Sequence, residues 1–486
     1  MADLIIRDVT IYDGTGAEPV SGDIAIEGDV IAGVGAFSAS AAASIDGKGL
    51  AAAPGFIDVH THDDFAAVLH PEMAFKTTGG VTTSVVGNCG MGAAPWASAN
   101  RMARALDPAP LPEWNGHRGY LDLLARHRPS VNIAMLIGHG TVRHAAMGND
   151  ARAPTGAEMS QMKAMIAEGL EAGAVGLSSG LIYDPGRFAH TDELVELATA
   201  MRGTGALYAT HMRDEGTGLL DSVREAIAIG ERAKVPVQIS HHKASGRAAW
   251  GLVKTSLGLI EEAQRRGLDV HADQYPYTAG STILSAIYRN GGFGNAEPES
   301  VVIASAASHS AWEGKSIAAI ASQMGCDAAS AAERVLEAEP GATVVLHMMC
   351  EDDVKTVMAH PSTMIGSDGL PTLGGKPHPR LYGTFARVLG HYARDEKVFP
   401  LAEAVYRMTG FPARKFGFAD RGVLKPGFKA DLVLFDPKTV IDRGTFEDPN
   451  RTPEGIAAVY VNGQLTAASG KSTGARAGGV LRRARR

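Results

Sequence analysis

The sequence predicts an α/β fold: a (β/α)8 TIM-like barrel, with a small β-sandwich domain built from both ends of the chain. Three observations predict it. Eight apolar, strand-like runs occupy the middle of the chain, helix-patterned segments separate most of them, and short strands recur at the two ends. Strands buried on both faces of a parallel sheet form apolar runs that lack alternation. Eight such runs with helical crossovers favour a barrel over an open sheet.

The two ends of the chain share a pattern of short strands separated by turn signals. These stretches occupy residues 3–7, 22–27, 30–34, 430–435 and 456–461. Alternating apolar residues bounded by Gly, Asp and Asn are typical of strands and tight turns. We therefore expect residues 1–53 and 420–486 to fold together as one small β domain.

The middle of the chain, residues 54–419, is then the barrel. Its eight strand-like runs are 55–62, 82–88, 132–140, 174–181, 207–213, 236–243, 269–277 and 362–368. Residues 156–172 and 191–203 show the helical spacing of apolar side chains expected of crossovers. The seventh and eighth runs lie far apart, so we expect an extra, mostly helical insertion at about residues 285–345.

Length and charge limit the classes of function. A chain of 486 residues is long enough for a large barrel plus a satellite domain. The net charge of −7 gives no general electrostatic basis for binding nucleic acid or anionic membranes, and we interpret the basic end, residues 482–486, as a solvated tail. No apolar run is long enough to span a membrane. These features leave the oligomeric state open.

Three cysteines and the first residues of the chain bear on its compartment. Cys89, Cys326 and Cys350 are too few for a disulfide framework and suit a reducing environment. The first residues read as a short strand with an early acid rather than the core of a signal peptide. We therefore expect a cytoplasmic protein.

Side chains that bind metals follow several of the predicted barrel strands. In a (β/α)8 barrel the reactive groups lie at the carboxyl ends of the strands. Five of the eight runs end with such a group, and the residues are His60, His62, Cys89, His211, His241 and Asp368. Each alone fits a core residue or a helix cap. Their recurrence at five strand ends predicts one shared site.

The types of these side chains indicate the metal. His60 and His62 are two residues apart in a strand, so both imidazoles can face one ion. Imidazole and thiolate ligands favour zinc over magnesium or calcium. A catalytic zinc keeps a position open for water and lowers the pKa of that water. Asp368 then suits a general base that passes the proton to the leaving nitrogen.

Separated motifs resemble one family. Residues 54–62 (PGFIDVHTH) and 365–369 (IGSDG) resemble the amidohydrolase superfamily. Four more motifs look like those of its N-acyl-D-amino-acid deacylases, or D-aminoacylases: residues 87–90 (GNCG), 240–243 (SHHK), 275–277 (YPY) and 378–380 (HPR). The likeness extends over nearly the entire chain. It implies the zinc-dependent hydrolysis of N-acyl-D-amino acids to a carboxylate and a free D-amino acid.

The resemblance also implies how the ligands are shared. It places one tight zinc at Cys89, His211 and His241, a weaker second site at His60 and His62, and the catalytic base at Asp368. Hydantoinase relatives bridge two metals with a modified lysine at the end of the fourth strand. Residues 174–183 contain no lysine, so Cys89 can bridge instead, and a hydantoinase is disfavoured.

Further candidates for substrate binding follow the metal ligands. A planar guanidinium binds a carboxylate through two hydrogen bonds, and the resemblance places Arg380 at the substrate carboxylate. Lys243 points to the same side as His241, and Tyr275 is a candidate by resemblance. Tyr183 follows the fourth strand and is equally compatible with the pocket wall or the barrel rim. His139 ends the third run, where it can polarise the substrate carbonyl.

Arg289 bears on the side chain of the substrate. Relatives specific for acidic substrates carry an extra arginine after the Tyr-Pro-Tyr motif, but the matching position here is Tyr288, one residue earlier. A preference for D-glutamate or D-aspartate derivatives therefore stays open. Two alternatives to the deacylase also stay open: an amidohydrolase of cyclic amides or dipeptide-like substrates, and a non-catalytic scaffold of the same fold.

Overall fold

The N-terminal strands begin a β domain. The structure, a computed structural model, describes residues 2–37, 40–106 and 109–483. The first five strands are β1 (Ala2–Ile11), β2 (Val20–Glu27), β3 (Val30–Gly35), β4 (Ala41–Asp46) and β5 (Ala51–Pro54). Strand β1 pairs antiparallel with β2 and parallel with β4 and β5. Ile6, Ile24 and Ile31 are buried in the core of this domain.

Eight parallel strands follow and form the barrel. The barrel strands are β6 (Phe56–Asp58), β7 (Val81–Val86), β8 (Asn132–Gly138), β9 (Gly176–Gly180), β10 (Leu207–His211), β11 (Val237–Ile239), β12 (Val270–Gln274) and β16 (Thr363–Ile365). Three further strands belong to an insertion between β12 and β16: β13 (Gly280–Ile283), β14 (Val301–Ser305) and β15 (Thr343–Leu346). The barrel order runs from β6 to β12 and ends with β16.

The barrel closes just beyond the ends of its first and last strands. The amide of Asp368 donates to the carbonyl of His60 at 2.7 Å, and the amide of His62 donates to the carbonyl of Gly369 at 3.1 Å. Each of the eight predicted runs coincides with one barrel strand to within a residue at its start or contains it, which confirms the predicted barrel. Closure at this point brings the segment around His60 beside the segment around Asp368.

Helices surround the strands. They are α1 (Ala66–Leu69), α2 (Ala74–Thr77), α3 (Trp96–Leu106), α4 (Gly116–His127), α5 (His139–Met147), α6 (Gly156–Ala172), α7 (Thr191–Ala198), α8 (Leu219–Ala233), α9 (Leu252–Arg265), α10 (Leu284–Ile287), α11 (Ile317–Met324), α12 (Ala328–Ala338), α13 (Glu351–Ala359), α14 (Arg380–Arg387), α15 (Leu401–Met408) and α16 (Gly410–Phe416). The predicted helix at 156–172 coincides with α6, which begins at a capping box of Thr155 and Glu158. Across the described residues, none of these helices combines the length and the apolar character needed to cross a membrane.

The insertion contains more strand than the sequence predicts. Its helices α10, α11 and α12 pack on an antiparallel sheet in the order β13-β15-β14, with Ile317, Val335 and Val344 in the shared core. The sheet begins at Gly280, before the predicted start at 285. Helices still supply most of the regular structure of the insertion, as expected, and the three-stranded sheet is an addition that the sequence does not predict. Strands of four or five residues are too short to show a period, and β13 pairs with a strand some sixty residues later.

The C-terminal strands complete the β domain. They are β17 (Leu432–Phe435), β18 (Ile456–Val461), β19 (Gln464–Ala468) and β20 (Lys471–Ser472). The last strand, β21 (Val480–Leu481), pairs with β8 of the barrel instead. Leu432 in β17 pairs antiparallel with Pro54 in β5, so both chain ends contribute to one nine-stranded sheet. This confirms a β domain built from both ends. The domain boundaries at 53/54 and 419/420 stay predictions.

The end of the described chain lies on the barrel rather than in solvent. Strand β21 pairs parallel with β8, and Arg482 contacts Asp122 at 2.8 Å and the carbonyl of Ala172 at 2.9 Å. Arg482 is exposed, as expected of a tail, but its ion pair and the hydrogen bond from the Arg483 amide to the Gly173 carbonyl hold this segment on the barrel. Residues 484–486 lie outside the described residues.

Candidate metal centre and active site

The six predicted metal and base residues meet at the mouth of the barrel. They belong to five strands that lie far apart in the chain, and the parallel order of those strands brings their carboxyl ends to one face. All six side chains are buried. The residues are His60 and His62 after β6, Cys89 after β7, His211 at the end of β10, His241 after β11 and Asp368 after β16.

Three of these residues have an unusual backbone. Cys89, His241 and Asp368 have positive φ angles of 53°, 35° and 50°. This left-handed region is uncommon for residues other than glycine and recurs at functional sites, where the surrounding structure maintains it. Each of the three follows a barrel strand closely, so the chain turns sharply as it presents the side chain to the barrel mouth.

Cys89 lies at the centre of the cluster. Its Sγ is 3.3 Å from His60 Nε2, 3.5 Å from His241 Nε2 and 3.7 Å from His211 Nδ1. Burial by itself raises the pKa of the Cys89 thiol, but the neighbouring histidines outweigh it and hold that pKa well below its ordinary value. The cysteine is therefore poised as a thiolate, the form that binds metals.

Asp368 approaches the same nitrogen of His60 as Cys89 does. Its Oδ1 is 3.2 Å from His62 Nε2 and 3.5 Å from His60 Nε2, and its Oδ2 is 2.9 Å from Arg380 Nη2. Burial raises the pKa of the Asp368 carboxyl, but Arg380 and the histidines reverse this and hold the pKa well below its ordinary value. Asp368 is thus a carboxylate at neutral pH.

The donor set fits a metal of the zinc type. Ligand atoms of His60, Cys89, His241 and Asp368 all lie within 4.8 Å of one another. A second group with the same spacing shares His241 and adds His211 and Glu215. A buried thiol among several imidazoles matches the preference of zinc for sulfur and nitrogen ligands. The chemistry and the spacing of these residues therefore suit one ion, with further donors adjacent.

Glu215 belongs to the site although the sequence reading missed it. Its Oε1 is 2.6 Å from Lys243 Nζ and 2.9 Å from His241 Nδ1. Its Oε2 is 3.9 Å from His211 Nε2. Carboxylates that bind the outer nitrogen of a ligand histidine fix the orientation of the ring. The signal in the sequence was an acid four residues after His211, in the loop that leaves the same strand.

Asp273 is a second missed residue. It lies in β12, where Oδ1 accepts the amide hydrogen of His241 at 2.8 Å and lies 3.2 Å from His60 Nδ1. Its Oδ2 accepts from Gln238 Nε2 at 2.8 Å. The carboxylate therefore fixes two candidate ligands at once. The search of strand ends missed it because Asp273 lies in the middle of the predicted run 269–277, whereas the strand itself already ends at Gln274.

Arg380 and Tyr275 form a buried group with unused donors. The Arg380 guanidinium stacks over the Tyr275 ring, 4.4 Å from its centroid, and Nη2 also donates to the carbonyl of Ser281 at 3.1 Å. Among the described residues, Nε and Nη1 of Arg380 and the hydroxyl of Tyr275 have no hydrogen-bond partner. Buried donors normally have partners, so these atoms mark the pair as a candidate anion site, although of the two residues only Tyr275 lines a cavity beside the ligands and Arg380 lies behind it.

Lys243 lies beside this group, with part of its charge already compensated. Its Nζ is 5.7 Å from the centroid of the Tyr275 ring and donates to Glu215 Oε1 at 2.6 Å. Burial lowers the pKa of Lys243, but the Glu215 carboxylate outweighs this and raises it, so the amine is protonated. Lys243 can therefore offer a positive charge to an anion near Tyr275 and Arg380.

Two cavities adjoin the predicted metal ligands. The first, of about 240 Å³, is lined by His211, His241, Lys243, Tyr275 and Asp368. The second, of about 580 Å³, is lined by His62 and Cys89. Tyr183 lines both, with its hydroxyl 2.9 Å from Thr282 Oγ1 and its ring 5.1 Å from that of His211. The substrate site therefore has two chambers that share one wall.

Two predicted substrate residues lie elsewhere than expected. His139 lines neither cavity, because its Nε2 is turned to Glu193 Oε1 at 2.9 Å, so its position gives no support to a role at the substrate carbonyl. Arg289 lines the second cavity and not the first, and its Nη2 donates to the carbonyl of Ile182 at 2.6 Å. The structure thus separates Arg289 from Lys243 and Tyr275.

The fold and this site define the class of protein. The chain belongs to the amidohydrolase family, whose sequence model matches residues 43–275 and 255–467. The two matched segments together include all six predicted metal and base residues. Membership of this family accounts for a barrel whose chemistry lies at the carboxyl ends of its strands.

Within this family the chain groups with the D-aminoacylases. It is 41% identical to D-aminoacylase of Alcaligenes xylosoxydans xylosoxydans over 99% of this chain and 98% of the relative. A solved structure addressing the binuclear metal centre of D-aminoacylase has a TM-score of 0.93 at 42% identity, over 99% of this chain and 100% of that one. N-acyl-D-glutamate deacylase from Bordetella bronchiseptica, solved with zinc and a phosphonate mimic of the tetrahedral intermediate, has a TM-score of 0.90 at 40% identity, over 99% of each chain. These likenesses confirm the resemblance seen in the motifs.

Proposed function

We propose that the chain hydrolyses the amide bond of N-acyl-D-amino acids and releases a carboxylate and a free D-amino acid. One observation carries the proposal: Cys89, His241 and Asp368 converge beside a buried group, Arg380 and Tyr275, whose donors have no partner among the described residues. The first group suits amide hydrolysis and the second suits the α-carboxylate of the substrate. The D-configuration of the substrate is supported by the relatives.

The cofactor in this proposal is zinc. Cys89, His211 and His241 would hold the tight ion, and His60 and His62 would contribute to a weaker second site. Support comes from the sulfur and nitrogen donors of this chain, from the zinc of the glutamate deacylase and from the binuclear centre of D-aminoacylase. When bound, zinc polarises the scissile carbonyl and lowers the pKa of water.

Asp368 moves the proton in the proposed reaction. Its Oδ1 lies beside both His60 and His62, at the edge of the ligand cluster, and it is ionised. A carboxylate in this position can take the proton of the attacking water and deliver it to the amide nitrogen as the C–N bond breaks. Arg380, bound to Oδ2, keeps the carboxylate oriented while Oδ1 accepts the proton.

The first cavity would hold the amino-acid half of the substrate. The α-carboxylate would bind Arg380 and Lys243, with the Tyr275 hydroxyl as a further donor. The remaining wall of this cavity includes Ile182, Ile287, Phe293 and Met348. Apolar walls favour an apolar side chain on the substrate, such as that of D-methionine. We therefore propose an apolar rather than an acidic preference.

The free thiols support a location for the reaction. Cys89, Cys326 and Cys350 are all unpaired. Proteins of oxidising compartments use disulfides, whereas free thiols are typical of reducing ones. We propose that the chain works in the cytoplasm on small-molecule N-acyl amino acids.

A panel of substrates tests the proposed function. N-acetyl-D-methionine, N-acetyl-L-methionine, N-acetyl-D-glutamate and a 5-substituted hydantoin are compared by kcat/KM. The proposal expects the highest value for the D-methionine derivative and no ring opening of the hydantoin. Hydrolysis of the hydantoin but of none of the acyl amino acids would contradict it, as would equal turnover of D- and L-methionine derivatives.

A further inference from the structure

The second cavity is larger than an acetyl group requires. Its volume is about 580 Å³, more than twice the roughly 240 Å³ of the first cavity. Cavities of about 300–1,000 Å³ hold drug-sized ligands. An acetyl group adds a single methyl group beyond the scissile carbonyl, so most of this space would remain without substrate atoms.

The position of this cavity assigns it to one half of the substrate. The amino-acid half is bound in the first cavity through Lys243 and Tyr275, under the function proposed above. The scissile amide then lies at the metal ligands. His62 and Cys89 belong to that ligand set and line the second cavity. The acyl half extends away from the carboxylate group and therefore enters the second cavity.

The charged residues of the second cavity indicate which acyl groups fit. Among the described residues lining it, Arg101 and Arg289 are the permanent cations and Asp184 is the one carboxylate. Asp184 is bound by the guanidinium of Arg187. The charge of Asp184 is therefore already compensated by a residue outside the lining. Apart from the Cys89 thiolate at the metal ligands, this leaves the two arginines as the permanent charges that face the rest of the cavity.

Arg289 is the cation that is better placed for a ligand. Its Nη2 donates to the carbonyl of Ile182 at 2.6 Å and its Nε to the carbonyl of Ser285 at 3.2 Å, so the guanidinium is held in place by neutral acceptors. Among the described residues, its ion pair is with Asp184, and the distance from Nη2 to Oδ1 is a long 4.0 Å. Because Arg187 binds the Asp184 carboxylate more closely than Arg289 does, the Arg289 guanidinium can still bind another anion.

Arg101 is engaged by another side chain of the cavity. Its Nη1 is 2.7 Å from His144 Nε2, and His144 Nδ1 is 2.9 Å from Ser98 Oγ. Burial and the Arg101 guanidinium lower the pKa of His144, so the imidazole is neutral and accepts from the arginine. This chain of contacts makes a polar wall and leaves Arg289 as the main anion contact.

We propose that the second cavity is the acyl chamber and that Arg289 binds a carboxylate at the far end of the acyl group. The substrates of this class are N-acyl-D-amino acids whose acyl group is a dicarboxylic acid, such as glutaryl. This inference rests on the proposed function and names the other half of its substrate. It also gives Arg289 a role different from recognition of an acidic amino-acid side chain.

The test varies the acyl group and the amino acid of the substrate separately. N-acetyl-, N-hexanoyl- and N-glutaryl-D-methionine and N-acetyl-D-glutamate are assayed with the full-length zinc-loaded enzyme, with Arg289→Ala and with the control Arg224→Ala. Arg224 lies on α8 in an exposed pair with Asp221. We expect Arg289→Ala to lower the ratio of kcat/KM for the glutaryl to the hexanoyl substrate about tenfold, the loss of one charge-assisted contact. Arg224→Ala leaves that ratio unchanged.

The possible results separate this inference from the function on which it rests. If the enzyme cleaves N-acetyl-D-methionine but neither longer acyl derivative, the acyl chamber is wrong and the proposed function stands. If Arg289→Ala selectively impairs N-acetyl-D-glutamate and spares the glutaryl ratio, the cavity holds the amino-acid side chain instead. If no N-acyl-D-amino acid is cleaved, both proposals fail.

Discussion

At the scale of single residues, the neighbours of Asp368 determine the protonation state of its carboxyl group. Burial alone would favour its neutral acid, but Arg380 Nη2 lies 2.9 Å from Oδ2 and His62 Nε2 lies 3.2 Å from Oδ1. Those contacts keep the carboxylate charged, with Oδ1 turned to the ligand cluster. The carboxylate is therefore in the form that can accept a proton at neutral pH, and a pKa closer to neutrality would make it a stronger base.

Replacement of this base tests its role. Asp368→Asn keeps the size of the side chain but removes the proton acceptor, so we expect kcat to fall by about a thousandfold. Zinc held by Cys89, His211 and His241 should remain, and metal analysis of the purified variant checks this. Retention of most of the activity, with normal zinc content, would remove Asp368 from the proton-transfer role.

Cys89 is the residue on which we expect metal retention to depend most. Its Sγ contacts three histidines within 3.7 Å, so Cys89→Ala should lower zinc content as well as activity. Cys326→Ala is the matched control, because Cys326 is a free thiol in the insertion, away from the ligand cluster. Mass spectrometry under native conditions measures the bound zinc. Equal zinc content in both variants would contradict the central place of Cys89.

Much of the site could be predicted residue by residue, and the failures have a physical reason. The six metal and base residues converge because strand order fixes where strand ends lie. Glu215, by contrast, reaches His241 from a loop, and loop geometry follows no period in the sequence. His139 shows the opposite error: it follows a strand as expected, but begins α5 and turns to Glu193.

At the scale of elements, tight contacts between strand ends position the ligands. Gly180 ends β9 beside the backbone of Cys89, and a β-carbon added there would lie 2.0 Å from the Cys89 carbonyl oxygen. The fourth strand therefore supports Cys89 by close approach. This role is consistent with the absence of a lysine from that strand.

Adding one methyl group at Gly180 tests its close contact with the Cys89 backbone. Gly180→Ala must displace the Cys89 backbone, so we expect reduced zinc content and reduced kcat. Gly258→Ala in α9 is the matched control, because nothing lies within 4 Å of its added β-carbon and alanine favours a helix by about 1 kcal/mol. Zinc content unchanged in Gly180→Ala would show that Cys89 tolerates the displacement.

The Glu168 carboxylate connects helix α6 to the first turn of helix α4. Glu168 on α6 accepts from the amides of His117 and Arg118 at 3.1 and 3.0 Å, at the first turn of α4. Burial raises the pKa of Glu168, but hydrogen bonds from His117 and these amides outweigh it and lower the pKa to about 2. Because the pKa is lower in the folded state, the stabilisation is present above the unfolded pKa and is lost as pH falls from about 4.5 towards 2.

The contribution of Glu168 to the free energy of unfolding has a defined sign and pH range. The Glu168 side chain is 40% exposed, so solvent screening reduces the gain and we expect Glu168→Gln to cost about 1 kcal/mol near pH 7. Denaturation midpoints should show a smaller difference at about pH 3. Glu196→Gln, which breaks an exposed pair with Lys163, should cost less than about 0.5 kcal/mol. An equal loss at both pH values would contradict the assigned pKa.

Helices and strands were predicted correctly where the apolar pattern extends over many residues. The run at 156–172 shows several helical turns and a capping box, and it is a helix over its full length. Strands β13 and β15 have four residues each and find their partners only in the folded insertion. Residues 482 and 483 looked like a solvated tail because their charge pattern does not reveal the ion pair of Arg482 with Asp122.

At the scale of the whole molecule, chain closure and the active site depend on each other. The amide of Asp368 bonds to the carbonyl of His60, joining segments more than 300 residues apart. The β domain closes the chain in the same way, because β5 pairs with β17. The sequence predicts both closures, since strand-like runs and their order set the topology.

The two chambers beside the ligands are a property of the whole fold that the sequence does not reveal. The first includes residues of barrel loops and of the insertion, such as Lys243 and Phe293, and the second includes Arg101 from α3 and Arg289 from the insertion. Cavity walls made from distant segments have no local signature. Only the structure shows that Arg289 and Lys243 line different chambers.

The most direct test of a zinc-dependent D-aminoacylase is a metal titration of the full-length protein. Metal is removed with a chelator, zinc is added back in steps, and release of D-methionine from N-acetyl-D-methionine is measured against bound zinc. We predict no turnover in the metal-free protein and a rise in kcat that is complete at about one zinc per chain. Undiminished turnover in protein shown to be free of metal would contradict the account.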